Sequence, residues 1–255
     1  MNRTTVALNA VNSASRFLVQ QFRNVREGVK KKDGTFISSA DIGAEHILLS
    51  AIKKSFPGDG ILSEESQEIQ SKSGYRWLID PLDGTHNFLS GLPLFGCLLA
   101  LECNGKIIYS ICSFPVLNEV FVAEKGKGVL YNGKKVDKVQ SSEIFEGICS
   151  LDGNRNLPLS LIFSDIEKCV KAGFRWRMFG SCAYSLACVA RGEVKIALGH
   201  LLKPWDIAAP AFLVEEAGGK VTDISGKQWG FDSEAIIASN GFFHKKAINI
   251  LTKLI

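Results

Sequence analysis

No stretch of this 255-residue chain approaches the ~20 consecutive apolar residues of a membrane-spanning helix, so no bilayer location is expected. Strong charge of one sign is also missing. Thirty Lys and Arg against 26 Asp and Glu leave a net charge of +4, which gives no signature of a nucleic-acid-binding surface. The one basic run, Lys30-Lys31-Lys32, reads as a solvated loop. The seven cysteines form no C-x-x-C pair, their number is odd, and most sit inside apolar stretches. That excludes a zinc site or a disulfide framework and leaves small core residues in a reducing compartment. With a polar N-terminus and no repeat, low-complexity tract or linker, the expectation is a soluble cytoplasmic protein. What is there suffices for a large core: 46% of residues are hydrophobic, enough for one big domain or two lobes.

Ala7, Ala10, Val11, Ala14, Phe17, Leu18 and Phe22 share one face of a helix over residues 5–22, and Asp33-Gly34 then breaks the pattern. A second amphipathic helix is predicted over 39–56, followed by short strands at "ILSEES" and "RWLID". From Leu94 to Val136 the chain reads as antiparallel strands, turning at Asn104-Gly105 and Asn132-Gly133. Helices and strands then alternate: a strand near 145–150, helices over 158–172 and 182–190, strands at "RWRMF" and "VKIAL". A helix from near Trp205 stops at Gly218-Gly219, and two strands and a terminal helix follow. The fold class is mixed α/β. An N-terminal helix and antiparallel-sheet lobe over 1–140 and a C-terminal α/β lobe over 141–255 are expected.

The chemistry gathers where strands end. In "LIDPLDGTHNF", residues 78–88, an apolar run stops at Asp80, and Asp83 follows across Pro81 and Leu82. Two readings stand side by side. The acids could be turn and N-cap residues, since D-G-T is common in loops. Alternatively, both carboxylates and the Leu82 carbonyl could hold a magnesium-type ion, Pro81 fixing the backbone and Gly84 admitting a ligand closely. A helix starting near Thr85 would then offer its free N–H groups to a phosphate. The D-x-D-G-T motif of aspartyl-phosphate phosphatases fits less well, because its acids are two apart and these are three. Glu64 and Glu65 stand at another strand end, and Asp206 opens the helix of "LKPWDIAAPAFLVEEAGG". Taken singly, these are ordinary as a solvated loop and a first-turn acid.

"LSEES", "WLIDPLDGTHNF", "GSCAYSLACVARG" and "WDIAAPAFLVEEAGG" occur in the order and rough spacing of the inositol monophosphatase family, which the chain resembles from Asp41 to the glycine pair. The resemblance implies a layered αβαβα sandwich and a magnesium-dependent phosphatase. Glu64, Asp80, the Leu82 carbonyl, Asp83 and Asp206 would bind two to three Mg2+ ions, with Glu65 supporting. Asp41 would pair with Thr85 to orient the attacking water, with Glu64 nearby, and Gly84 and Thr85 would offer N–H groups to the phosphate. Gly180, Ser181, Cys182 and Ala183 match a turn near the substrate's hydroxyls. The implied reaction is in-line displacement on a small phosphate monoester by water that the metal activates, with no covalent intermediate. Homodimers are common in the family, and neither nucleic acid nor membrane is an expected partner.

One departure bears on the substrate. Inositol and histidinol phosphatases of the family carry a glutamate seven residues before the W-D aspartate, and here that position is Gly199. His200 is adjacent, as a substitute or as a structural histidine. Inositol 1-phosphate, histidinol phosphate, a sugar bisphosphate and a 3′(2′),5′-bisphosphate nucleotide all remain candidates. So does a non-catalytic regulatory role, although a full set of metal ligands argues against it.

Overall fold

Apolar residues at helical spacing form two long helices at the start of the chain. These are α1 (Arg3–Gln21), whose first turn is capped by Asn2, and α2 (Ser39–Ser55), capped by Ser38. The computed structural model describes residues 2–32, 34–137, 147–153 and 156–252. Asp33 and the expected lobe boundary near residue 140 lie outside the described residues. A two-stranded ribbon, β1 (Val29–Lys30) and β2 (Phe36–Ile37), separates the helices.

A seven-stranded sheet follows in strict chain order: β3 (Gly60–Ser63), β4 (Tyr75–Asp83), β5 (Gly96–Cys103), β6 (Lys106–Phe114), β7 (Glu119–Glu124), β8 (Gly128–Tyr131) and β9 (Lys134–Lys135). Every pair in it is antiparallel except β3 with β4. The one-turn helix α3 (Thr85–Ser90) joins β4 to β5. The second sheet holds β10 (Gly147–Gly153), β11 (Phe174–Arg177), β12 (Val194–His200), β13 (Lys220–Asp223) and β14 (Ala235–Ser239), in the order β11-β10-β12-β14-β13. Around it lie α4 (Leu159–Lys171), α5 (Cys182–Ala190), α6 (Pro204–Glu216) and α7 (His244–Thr252).

The layers follow from strands buried on both faces. Along β5, Cys97, Leu99 and Leu101 point to α1 and α2, while Leu98 and Ala100 point to α5 and α6. A period of two sends alternate residues to opposite faces, so a continuous apolar run serves two cores at once. In β14, Ile236 and Ala238 face α5 and α6, and Ile237 faces α4 and α7. Helices α5 and α6 thus lie between the two sheets, giving the expected αβαβα sandwich. The seven cysteines are free, and six of them are buried.

A single amide stitches the two halves beside the site. The Asn87 side chain in α3 donates to the Leu94 carbonyl and, ninety-two residues on, to the Phe179 carbonyl, both at 2.7 Å. Asn87→Ala strips the donor from both half-buried carbonyls. It should lower unfolding free energy by about 2 kcal/mol, measured by urea denaturation.

Candidate active site

Asp80 and Asp83 are three positions apart in a strand, which in regular pleating would place them on opposite faces. They nevertheless line the same cleft. The reason is a break in register: Asp80 pairs with Leu98, but Asp83 pairs with Gly96, so β4 carries one residue more than its partner across Pro81-Leu82. This bulge turns the second acid to the side of the first, and Pro81, which has no N–H, loses no ladder bond there. Gly84 then adopts φ +80, and a Cβ on it would meet the Leu94 carbonyl at 2.9 Å. The glycine is required on both counts.

The cleft, about 760 Å3, gathers Glu64, Asp80, Leu82, Asp83 and Asp206, together with Gly84, Thr85, Gly180 and Cys182. Each acid is tied by the chain. Asp80 accepts from the Leu82 N–H at 3.0 Å, and Asp206 accepts from the Lys203 N–H at 2.8 Å, at the mouth of α6. Asp83 accepts from the Ser181 hydroxyl, and the Ala183 N–H also faces it. The Lys31 ammonium sits between Glu64, at 2.7 Å, and Glu65, at 2.6 Å.

Four expected site residues therefore stand behind the cleft. Ser181 and Ala183 hold Asp83, Glu65 shares Lys31 with Glu64, and Asp41 is fully buried under Thr85. The Thr85 hydroxyl lies 2.9 Å from Asp41 Oδ1 and 3.0 Å from the Leu82 carbonyl. Asp41 also accepts from the Ser38 N–H at 2.8 Å and the Ser38 hydroxyl at 2.6 Å, the capping box of α2. One carboxylate thus starts a helix and fixes the threonine.

Two readings of the sequence need correction or completion. Lys31 is not a solvated side chain, as the exposed Lys30 and Lys32 are; the β1–β2 ribbon carries it onto the glutamate pair. Asp152, at the end of β10, was not singled out. Its Oδ1 accepts from the Gly180 N–H at 2.7 Å and its Oδ2 from the Ser185 hydroxyl, which fixes the 180–183 turn against Asp83. Its signal is an acid before glycine at the end of a strand, the same mark that Asp83 carries before Gly84. His200 proves structural: its Nε2 lies 2.9 Å from Asp165, and both are buried.

The acids load one another electrostatically. Burial, and then the charges of Glu64, Asp83 and Asp206, hold the Asp80 carboxyl well above the usual range. Burial and neighbouring acids do the same to Asp206, while the Lys203 N–H pulls it back. Burial lifts Asp83 to about 7 against the Ser181 hydrogen bond, and lifts Glu65 to about 7 against Lys31. Burial also pushes the Cys182 thiol up, so it stays protonated and is no nucleophile. Carboxylate and carbonyl oxygens aimed at one another, with a lysine already drawn in, fit a hard divalent cation in donor chemistry. Among the described residues no three acid, histidine or cysteine side chains stand close enough together to enclose an ion.

A carboxyl raised in the folded state stabilises the fold below its unfolded pKa, and that stability is lost as pH rises through the folded value. With Asp83 and Glu65 at about 7, the chelator-treated protein should lose several degrees of melting temperature between pH 6 and pH 8. A divalent cation should restore more at pH 8 than at pH 6, releasing protons as it binds. Differential scanning calorimetry with and without the cation measures both effects.

The sequence profile of the inositol monophosphatase family matches residues 2–255. The chain is 35% identical over 254 residues to the histidinol-phosphatase of Chlorobaculum parvum, covering 95% of this chain and 94% of the relative. It is 32% identical over 257 residues to the fructose-1,6-bisphosphatase/inositol-1-monophosphatase of Thermotoga maritima, covering 100% and 98%. Among solved structures, the extragenic suppressor protein suhB from Bartonella henselae superposes with a TM-score of 0.92 at 35% identity, over 99% of each chain. With a profile match along the whole chain and relatives of this identity and coverage, the chain belongs to the inositol monophosphatase family.

Proposed function

We propose that the protein is a magnesium-dependent phosphatase that hydrolyses small phosphate monoesters. The observation that carries the reading is the Thr85–Asp41 hydrogen bond set beside a cleft lined by the carboxylates of Glu64, Asp80, Asp83, Asp152 and Asp206, from four separate chain segments. Glu64, Asp80, the Leu82 carbonyl, Asp83 and Asp206 would hold two to three Mg2+ ions, which shield the phosphate's charge, acidify water and stabilise the leaving alkoxide.

The chain's own part begins at Thr85. With its hydrogen given to Asp41 or Leu82, the hydroxyl oxygen presents lone pairs to the cleft and accepts a hydrogen from the attacking water. That fixes the direction of the water's own lone pair. Glu64, released from Lys31, is the carboxylate placed to take the proton. The N–H groups of Gly84 and Thr85, at the start of α3, would face the phosphate oxygens. Ser181 and Asp152 keep Asp83 from turning, and positioning of this kind matters most in the transition state.

The substrate end is less demanding than the phosphate end. No acid stands at position 199, and His200 is engaged by Asp165. A site without a buried partner for a hydroxyl discriminates weakly in favour of that hydroxyl. Several small monoesters should therefore be turned over, with inositol 1-phosphate at most modestly preferred. A wholly non-catalytic role gives no reason for the Thr85–Asp41 pair to face the acids.

Asp83→Asn should reduce magnesium-dependent hydrolysis of such esters more than tenfold while the circular dichroism spectrum stays near native. Retention of more than a tenth of the turnover would overturn the reading. Thr85→Ala should lower kcat by about 10²-fold with little change in KM. Asp41→Asn should act alike, and the double variant should cost scarcely more than either one. Additive losses would show that the two residues do not work as a unit.

A further inference from the structure

Resting on the phosphatase reading, the wall of the cleft that faces the acids bears on the alcohol that leaves. Gly199 has an ordinary strand conformation, yet a Cβ built on it would lie 2.6 Å from Leu202 Cδ1 and 2.8 Å from Cys182 Sγ. The place where an acidic side chain would start is filled by apolar atoms. The nearest carboxylate on the same face is Asp152, paired with Gly199 across the parallel β10–β12 ladder. Its two oxygens already accept from the Gly180 N–H and the Ser185 hydroxyl. Asp152 lines the cleft with those bonds made, and the Phe179 and Ser181 N–H groups face it as well, so the wall offers no uncommitted acid to grip a polyol or an ammonium group, and Lys203, also lining the cleft, would repel the latter.

What the wall does offer is apolar. Leu201 lines the cleft with φ +53, a left-handed conformation that a leucine rarely adopts, and it remains 37% exposed. Backbone strain of this sort persists where the surroundings impose it, and it clusters at ligand sites. Leu202 and Trp205 continue the surface. Phe36 and His86, which also line the cleft, meet with ring centroids 5.9 Å apart and planes inclined at 35°. A cleft of about 760 Å3 has room for a ring beside a phosphate.

We propose that the alcohol this cleft selects carries an uncharged apolar ring, seated against Leu201, Leu202 and Trp205 and facing the Phe36–His86 pair. The phosphate end is common to every ester, so selection falls to this wall, where a ring displaces water without leaving a polar group unpaired. A polyol loses hydration against these apolar groups, and the Lys203 ammonium beside them is exposed and already hydrated.

The test compares 2-phenylethyl phosphate, inositol 1-phosphate and histidinol phosphate, all esters of alkanols, with the wild-type protein and magnesium. The ring ester should show kcat/KM about tenfold above each of the others, mostly through KM, a ratio in the range of small apolar discriminations. Leu201→Asn keeps a residue type that tolerates the left-handed φ and should shrink that ratio to about threefold or less. Equal or better use of inositol 1-phosphate or histidinol phosphate overturns the inference. If no ester is hydrolysed, the phosphatase reading falls. Calorimetry with 2-phenylethylphosphonate and methylphosphonate then decides the ring site alone: tighter binding of the former by about tenfold supports it, and equal binding overturns it.

Discussion

Carboxylates crowded into one cleft repel one another, and much of the structure near Glu64, Asp80, Asp83 and Asp206 exists to hold them there. Each would relax outward if free, and each is instead caught: Asp80 and Asp206 by a backbone N–H close in sequence, Asp83 by the Ser181 hydroxyl and Glu64 by the Lys31 ammonium. Burial first, and the neighbouring acids after it, hold the Asp80, Asp83 and Asp206 carboxyls above the usual range. A fold that concentrates like charge loses stability to build a site, and three buried cores lie around this one to offset the loss.

The devices that hold the acids are small and backbone-based. A one-residue bulge aims Asp83, an N-terminal helix turn aims Asp206, and a capping box holds Asp41 under Thr85. None of these depends on long flexible side chains, which would lose more entropy on being fixed. The exception is Lys31, whose flexible stem reaches from the ribbon to the glutamate pair. Rigid parts hold the chemistry, and the movable cation lies at the edge.

Much of this was legible in the sequence because it is local. Helix faces, hairpin turns and the D-P-L-D-G-T hexapeptide announce themselves within a dozen residues, and the family resemblance joined the acids into one set. What stayed hidden spans the chain. Lys31 reads as a solvated lysine until the ribbon is folded over Glu64, thirty-three residues away. Asn87 reads as a helix residue until Phe179 arrives, and Asp152 looks like a turn acid until Gly180 and Ser185 close on it. The bulge was hidden for another reason. Proline in a strand signals irregularity, but only the partner strand shows which way the register breaks.

Helix α6 packs against both sheets and begins with the fourth acid. Any shear of one sheet over the other is therefore transmitted along the helix to Asp206, while Asp80 and Asp83 travel with β4. The side chains sandwiched around α6, such as Phe212 and Leu213, act as spacers that set the distance between two parts of a reaction centre. A change in their bulk, far from any substrate, would be felt at the cleft as a misalignment of charge.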